Sequence, residues 1–363
     1  MTDIRLRDLV KSWGADTAVD GASFAVRSGT LTVLLGPSGC GKSTILRLVA
    51  GLETPSAGTV EIGGRDVTGQ DAADRGIAMV FQSYALFPHL TVRENILFGL
   101  KVRKVAKTER ESRLAVAAET VGLTEYLHRR PAELSGGQRQ RVALARAVIA
   151  ERRICLMDEP LSNLDAKLRA QMRDEIRALQ QRLGLTMIYV THDQTEAMSM
   201  ADEIVLLDAG KIVQAGTPED LYMRPRSAFA ARFIGQPPTN LIPRNLLPAD
   251  EGTGWIGIRP EDIFVGGESL IGGLPATVTS VDYLGAETHL RVDLGGEGLI
   301  ARIDGRTGLR PGAPVRIGWD AAAAHIFDER GLRQDGLHPS CLRPPGLKAA
   351  ATNPGGHRVS PIK

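Results

Sequence analysis

The residue pattern with the clearest chemical meaning is a glycine-rich loop that ends in a lysine and two hydroxyl residues. It comprises Gly36, Pro37, Ser38, Gly39, Cys40, Gly41, Lys42, Ser43 and Thr44. Glycines let backbone N–H groups approach phosphate oxygens closely, and the N-terminus of a following helix favours their negative charge. Lys42 is predicted to reach the β- and γ-phosphates of a nucleotide, and Ser43 to bind Mg²⁺. The loop therefore predicts a site for ATP and Mg²⁺.

Two adjacent carboxylates, Asp158 and Glu159, follow the apolar run Ile154-Cys155-Leu156-Met157. An acidic turn after a strand would be the preferred interpretation if the chain had no phosphate loop. With the loop present, Asp158 suits the coordination shell of Mg²⁺, and Glu159 is placed to polarise the attacking water. We therefore predict that the pair takes part in ATP hydrolysis.

A second candidate anion site is the segment Leu134-Ser135-Gly136-Gly137-Gln138. It precedes a predicted helix, so the Ser135 hydroxyl and the glycine amides are expected to bind an anion as the first loop does. His192 follows another apolar run, residues 186–190, with Thr191 between them. A histidine in such a turn is often structural, but its place beside a predicted hydrolytic site favours a catalytic role.

These residues need a sheet that brings them together. Apolar runs at 31–35, 77–81, 154–157 and 186–190 each end in polar residues, which is typical of a parallel α/β sheet with ligands at the carboxyl ends of its strands. Helices are predicted from Ser43 to Ala50 and along the amphipathic stretch from Leu164 to Leu183. Residues 91–150 are predicted to be mostly helical and to form an insertion into the α/β core.

The composition changes after Gly235, where a turn-rich segment begins. Alternating apolar and polar residues then predict several short strands and a small β-barrel. The predicted domains are therefore residues 1–235, with a helical subdomain at about 90–150, and an OB-like β-domain at 236–335. The remainder, 336–363, is rich in Pro, Gly and Ala and is predicted to be a disordered tail.

Composition excludes several classes of protein. The net charge of +2 among 363 residues gives no electrostatic indication of nucleic-acid or membrane binding. No apolar run reaches the roughly 18–20 residues of a membrane helix, and the N-terminus lacks the pattern of a secretory signal. Cys40, Cys155 and Cys341 are too irregularly spaced for a disulfide framework or a zinc site. Cys40 is either a small residue tolerated in the loop or a reactive thiol that bound nucleotide would shield.

Taken in order, these motifs resemble those of ATP-binding cassette (ABC) transporter ATPases over roughly residues 4–235. The resemblance implies a P-loop (RecA-like) ABC ATPase domain in which Leu134 to Gln138 is the signature sequence. It implies that Gln82 contacts Mg²⁺ and faces the membrane subunits, that His192 contacts the γ-phosphate, and that Trp13 stacks under adenine. Ser162-Asn163-Leu164-Asp165 matches the D-loop, which places Asp165 at the nucleotide site.

The same resemblance implies a shared active site. In the family, the signature of one subunit binds the γ-phosphate of ATP held by the other, so the working unit contains two such domains. A homodimer is the simplest expectation, with a heterodimer as the alternative. Gln82, Lys42, Glu159 and His192 would then form the catalytic set, with Ser43, Gln82 and Asp158 around Mg²⁺.

The C-terminal region narrows the resemblance. Residues 233–242, 256–261 and 283–288 are similar to maltose-type importer ATPases, which carry an OB-like (TOBE) regulatory domain after the motor. This implies a peripheral protein at the cytoplasmic face of the cell membrane, with two permease subunits and an extracytoplasmic solute-binding protein as partners. The predicted substrate is a carbohydrate: an oligosaccharide, a polyol or glycerol-3-phosphate.

The alternatives are importers of polyamines, iron, sulfate or molybdate, which share the motor and a related β-domain. A non-transport ABC ATPase acting on DNA or ribosomes is a third interpretation, because OB-like domains can bind single-stranded nucleic acid. Aromatic residues make up only 4% of the chain and the C-terminal strands lack a basic, aromatic face, so no nucleic-acid partner is predicted. A small-molecule P-loop kinase is disfavoured by the signature sequence.

Overall fold

Three strands made entirely of buried residues form the centre of the first structural unit. The computed structural model describes residues 4–247, 252–267 and 273–334. Contacts divide the chain into two units, with the boundary between Arg224 and Pro225. The predicted tail at 336–363 and Cys341 lie outside the described residues.

The main sheet of the first unit has six strands in the order β10-β9-β3-β8-β7-β6. All neighbours are parallel except β10, which pairs antiparallel with β9. The parallel order brings the carboxyl ends of β3, β7 and β8 to one edge, as the apolar runs predicted. The strands are β3 (Leu31–Leu35), β6 (Ile77–Val80), β7 (Ile154–Asp158), β8 (Thr186–Thr191), β9 (Glu203–Asp208) and β10 (Lys211–Gly216).

A second, antiparallel sheet in this unit has the order β2-β1-β4-β5. Its inward residues and those of the main sheet share one apolar cluster around helix α1, which includes Ile4, Ile45 and Leu48. The four strands are β1 (Ile4–Trp13), β2 (Asp16–Val26), β4 (Ala57–Ile62) and β5 (Arg65–Asp66).

Helices cover the main sheet, and three of them form the insertion between β6 and β7. The amphipathic pattern correctly predicted the long helix α5, although it begins after Asp165 rather than at Leu164. The helices are α1 (Lys42–Ala50), α2 (Val92–Val102), α3 (Lys107–Thr120), α4 (Gly136–Val148), α5 (Ala166–Leu183), α6 (Gln194–Met200) and α7 (Pro218–Met223). No helix among the described residues is both long and apolar enough to cross a membrane.

The second unit is mainly β-structure, with sheets of order β11-β12-β18 and β13-β17-β14-β15-β16 around a single apolar core. Trp319 and Phe327 are fully buried there. The elements are α8 (Ala228–Phe233), β11 (Asn240–Pro243), β12 (Trp255–Ile258), β13 (Phe264–Gly266), β14 (Leu274–Tyr283), β15 (Glu287–Leu294), β16 (Glu297–Asp304), β17 (Pro314–Gly318) and β18 (His325–Phe327).

The division at Arg224 lies before the boundary predicted at 235 because helix α8 is bonded to the β-unit. The hydroxyl of Thr239 donates to the carbonyl of Ala231 over 2.7 Å. The Arg259 guanidinium donates to the carbonyls of Ala231 and Ile234. Residues 225–235 therefore belong with the β-strands that follow them.

Candidate nucleotide-binding and catalytic site

The phosphate loop connects β3 to α1 and is folded too tightly for side chains at two of its glycines. Gly36 and Gly41 have φ of 154° and 100°. A Cβ atom on Gly36 would lie 2.2 Å from the carbonyl oxygen of Leu207, and one on Gly41 would lie 2.3 Å from that of Ala18. No side chain caps the first turn of α1, so its backbone amides have no side-chain acceptor. These amides are the donors that a phosphate would require.

Lys42 is buried, and its ammonium group lies within the loop. Its Nζ donates to the carbonyl oxygens of Gly36 and Pro37 over 2.8 and 2.7 Å. Nζ also lies 3.7 Å from Sγ of Cys40. Burial raises the pKa of the Cys40 thiol, although the Lys42 charge opposes this rise. The thiol form is therefore favoured, which supports the interpretation of Cys40 as a small residue rather than a reactive one.

Ser43 and Asp158 bring the phosphate loop and the end of β7 together. The Ser43 hydroxyl donates to Oδ1 of Asp158 over 2.7 Å. A hydroxyl and a carboxylate are hard oxygen ligands that suit Mg²⁺, which is usually held by one or two carboxylates together with phosphate oxygens. The described residues contain no group of three or more His, Cys, Asp or Glu that could hold a metal without such help. The residues present thus fit a Mg²⁺ ion that arrives with a nucleotide.

Glu159 and His192 form the second pair at this edge of the sheet. Oε2 of Glu159 lies 3.1 Å from Nδ1 of His192. Glu159 has a φ of 42°, in the left-handed region that few non-glycine residues adopt, and its N–H donates to the carbonyl of Val190. The turn after β7 is therefore anchored to β8, and it directs the Glu159 side chain toward the histidine that follows β8.

Four side chains near His192 were not predicted from the sequence. Arg169 on α5 donates to Asp193 over 3.2 Å, and Asp193 caps α6. The buried hydroxyl of Tyr189 donates to Glu196 over 2.8 Å. Two of them could have been found from their positions in the sequence. Arg169 follows Asp165 by four residues, and Asp193 directly follows His192. This network fixes the start of α6 and hence the turn that carries His192.

Gln82 contacts the D-loop segment, and its predicted contact with Mg²⁺ stays a prediction. Its Nε2 lies 3.4 Å from the Ser162 hydroxyl, and Asn163 donates to its backbone carbonyl over 3.2 Å. Asp165 acts as the N-cap of α5, where its Oδ1 accepts from the N–H of Leu168. The structure therefore joins two of the predicted motifs to each other through side-chain hydrogen bonds.

The signature residues form the start of α4. Ser135 is its N-cap, and a reciprocal pair of hydrogen bonds links Ser135 and Gln138. A Cβ atom on Gly136 or Gly137 would lie 3.0 Å from the side chain of Leu164 or Leu168. No hydrogen bond or ion pair within the described chain joins Ser135 to the phosphate loop. The two predicted anion sites are thus not joined by a hydrogen bond or ion pair within the described part of one chain.

Trp13 lies at the end of β1, and half of its surface is exposed. The Nζ of Lys11 lies 5.0 Å from the centre of its ring. A large aromatic residue outside the core is able to stack on a planar partner. The role of Trp13 beside a nucleotide base stays a prediction.

The comparisons with known proteins agree with this geometry. The ABC transporter family matches residues 19–162, and the TOBE domain family matches residues 256–327. The sn-glycerol-3-phosphate import ATP-binding protein UgpC 3 of Rhizobium johnstonii is 48% identical over 349 residues, which cover 92% of this chain and 100% of that protein. UgpC of Brucella abortus is 48% identical over 348 residues, with coverage of 92% and 99%.

Solved structures show the same fold in the ATPase unit. The dimeric bacterial ABC transporter cassette MJ0796 superposes with a TM-score of 0.54 at 29% identity, covering 59% of this chain and 98% of that one. CbiO1 of Clostridium perfringens, part of the ABC transporter complex cbiONQ, has a TM-score of 0.57 at 24% identity and covers 61% and 90%. The chain belongs to the ABC transporter family of ATP-binding proteins and carries a TOBE domain after its ATPase unit.

Proposed function

We propose that this chain hydrolyses ATP with Mg²⁺ at the described edge of the sheet and thereby energises uptake of a carbohydrate-class solute. Two copies would act together with two permeases and an extracytoplasmic solute-binding protein, at the cytoplasmic face of the membrane. Because the relatives are named as sn-glycerol-3-phosphate import proteins, that compound is the first candidate substrate. The observation that carries the hydrolytic part is the convergence of Ser43 with Asp158 and of Glu159 with His192.

Nucleotide binding would exchange existing hydrogen bonds at the loop. Lys42 would transfer its donors from the carbonyls of Gly36 and Pro37 to phosphate oxygens, while the free amides of the first turn of α1 bind the same phosphates. Ser43 and Asp158 would hold Mg²⁺, which supplies positive charge to the phosphoryl oxygens when bound. Trp13 would cover one side of the base.

Glu159 would orient the attacking water and accept hydrogen bonding from it, and His192 would fix the carboxylate through the contact at 3.1 Å. His192 would also reach the γ-phosphate. Positioning and electrostatic stabilisation provide most of the rate in such phosphoryl transfers. The signature at Ser135 would complete the site of the second copy, because no hydrogen bond or ion pair joins it to the loop within the described part of one chain.

The transport proposal is tested by identifying what the ATP-bound chain binds. A Glu159→Gln chain would be purified by affinity from native membranes with ATP, and its partners identified by mass spectrometry. Recovery of two permeases and a solute-binding protein is expected. That binding protein would then be titrated with sn-glycerol-3-phosphate, maltose and a polyol.

The matched control is Glu219→Gln, which changes an exposed carboxylate on α7 far along the chain from the catalytic motifs. The Glu219→Gln chain still hydrolyses ATP, so its complexes should dissociate and be recovered in lower yield than those of the Glu159→Gln chain. Recovery of ribosomal or DNA-repair proteins in place of permeases would overturn the transport proposal and leave the ATPase assignment intact. Binding of a polyamine, iron, sulfate or molybdate by the captured protein would overturn the substrate class alone.

A further inference from the structure

One cavity of the ATPase unit lies away from the nucleotide site. It has a volume of about 380 Å³ and lies among α3, α4, α5 and β7. This volume is within the range of about 300–1,000 Å³ typical of small-molecule sites. Its floor includes Cys155 and Met157 of β7, and α4 contributes Leu144 and Val148. The cavity therefore borders the strand that ends in Asp158 and the helix that starts at the signature.

The cavity is apolar inside and open at one side. Val116 of α3 and Leu183 of α5 line it, and they remain 61% and 43% exposed. Cys155 also lines the cavity and is buried, and burial raises the pKa of its thiol to about 12. An uncharged thiol behaves as a small apolar group. The interior is thus suited to a hydrocarbon chain that enters from the side of α3 and α5.

The rim of the cavity has an excess of positive charge. Arg113, Arg152 and Arg153 line it together with one acidic residue, Glu151. Arg113 is paired, since its nitrogens contact Glu151 at 3.0 Å and Glu109 at 2.5 Å. Within the described chain, neither Arg152 nor Arg153 forms an ion pair, and the buried Nε of Arg152 has no hydrogen-bond partner. Two guanidinium groups are therefore available to an anionic ligand at the mouth of an apolar cavity.

The pKa of a neighbouring arginine reflects the same excess of positive charge at the rim. Arg103, near the end of α2, has a pKa lowered first by burial and then by the positive charges of Arg152 and Arg113. A carboxylate placed between these groups would relieve their mutual repulsion.

From this juxtaposition we propose that the cavity binds a free fatty acid, with its acyl chain against Cys155 and Met157 and its carboxylate at Arg152 and Arg153. A single chain is favoured over a two-chain phospholipid because the cavity is small and enclosed by three helices and a strand. Binding requires only the first unit and is independent of the transported substrate.

Decanoate is the probe, and isothermal titration calorimetry on the full-length chain is the measurement. Saturable binding of one decanoate per chain is expected. The double change Arg152→Gln and Arg153→Gln should weaken binding about tenfold, since a charge-assisted contact of about 1.4 kcal/mol corresponds to that factor. Arg110→Ala removes an arginine from α3 that does not line the cavity, so it should leave the affinity unchanged.

Two further variants test the place of the acyl chain. Ala147→Phe fills the cavity from α4 and should abolish the heat of binding. Val116→Glu changes an exposed position, so the chain should fold normally, and its carboxylate should repel the ligand at the mouth. Decyltrimethylammonium, which has the same chain and the opposite charge, should bind at least about tenfold more weakly than decanoate.

Three results would overturn the proposal. One is an absence of decanoate binding to the unchanged chain. Another is equal affinity in the folded Val116→Glu variant. The third is equal affinity for the cationic probe, which would indicate non-specific hydrophobic association. Flotation of the chain with phosphatidylglycerol vesicles, without decanoate binding, would instead assign the surface to the membrane and would also overturn it.

Discussion

Glu159 shows how a single residue combines backbone strain with chemistry. Its left-handed φ of 42° costs free energy in a residue with a side chain, and the hydrogen bond to Val190 holds it there. This conformation turns the carboxylate toward His192 immediately after the strand that presents Asp158. Asp158 and Glu159 are adjacent in the sequence, but the first contacts Ser43 and the second contacts His192.

At Glu159, replacement by Gln should lower ATP turnover by about 10²-fold or more, on the scale of losing a transition-state contact. ATP affinity should be retained, because Lys42, Ser43 and Asp158 are unchanged. Turnover is measured by phosphate release and affinity by equilibrium binding of a fluorescent ATP analogue. The control is Glu219→Gln, which should hydrolyse at the normal rate. Normal hydrolysis by Glu159→Gln would remove this residue from the mechanism.

Two glycines of the phosphate loop provide a matched comparison. Gly41 and Gly39 both have positive φ, but only a Cβ on Gly41 would collide, at 2.3 Å from the carbonyl of Ala18. Gly39→Ala should therefore cost only the left-handed strain of about 1 kcal/mol. Gly41→Ala should cost about 3 kcal/mol or more, because the backbone of β2 must move. Urea unfolding without nucleotide measures both, and equal losses would show that the close approach is absent in solution.

The strands differ in how clearly the sequence predicts them. The parallel strands β3, β7 and β8 were predicted because both of their faces are buried and most of their residues are apolar. The N-terminal sheet was missed because the pairing of β1 with β2 shifts register at three points, which interrupts the alternation of apolar and polar residues. The apolar strand β9 carried a usable signal in Ile204 to Leu207 that was not recognised.

Strand β18 carries a titratable group that should make the second unit sensitive to acid. Burial, followed by the charges of Arg333 and Arg259, lowers the pKa of His325 from 6.5 to about 4. The unfolded chain therefore binds more protons than the folded one between these values. Stability is fully present above pH 6.5 and is lost as the pH falls toward 4, by about 3 kcal/mol.

This loss can be measured on the β-unit alone. In a Trp13→Phe background, the remaining tryptophans, Trp255 and Trp319, both belong to the second unit. Urea unfolding followed by their fluorescence at pH 7 and pH 4.5 gives the free energy of unfolding of that unit. His325→Gln should reduce the difference between the two pH values. An unchanged difference would assign the acid sensitivity to other groups.

At the scale of the whole molecule, the absence of a hydrogen bond or ion pair between the two anion sites within the described part of one chain is the decisive feature. Ser135 caps its own helix, whereas the phosphate loop lies at the edge of the main sheet. The sequence resemblance supplied the reason for this absence, since the family shares each site between two copies. Neither the spacing of the motifs nor the fold of one chain could have established it.

A mixture of two inactive variants tests the sharing. Lys42→Ala removes the loop lysine, and Ser135→Arg blocks the signature with a bulky cation. Each homodimer should hydrolyse ATP at a few per cent or less of the normal rate, by analogy with losses of about 10²-fold at single transition-state contacts. Mixed dimers contain one intact composite site, so the mixture should regain activity. Full activity of the Ser135→Arg chain alone would contradict a shared site.

The site as a whole was largely predictable, and the exceptions have a physical cause. Residues at the ends of parallel strands, such as Asp158 and His192, were predictable because topology alone brings them together. Arg169, Tyr189 and Glu196 were not, because their contacts depend on how α5 and α6 pack against the sheet. The boundary between the units was also displaced, since the hydrogen bonds from Arg259 to the end of α8 leave no local pattern in the sequence.

The hydrogen bonds from Lys42 to carbonyls of its own loop have a consequence for anion selectivity. Because its ammonium is already satisfied by two carbonyls of the loop, an incoming anion gains only the difference between the old and the new bonds. We expect chloride and other simple monovalent ions to displace those carbonyls poorly, because each offers a single acceptor. A polyphosphate presents several strong acceptors at once and also occupies the free amides of α1. We therefore expect the loop to prefer polyphosphates to simple salts, whatever nucleoside the polyphosphate carries.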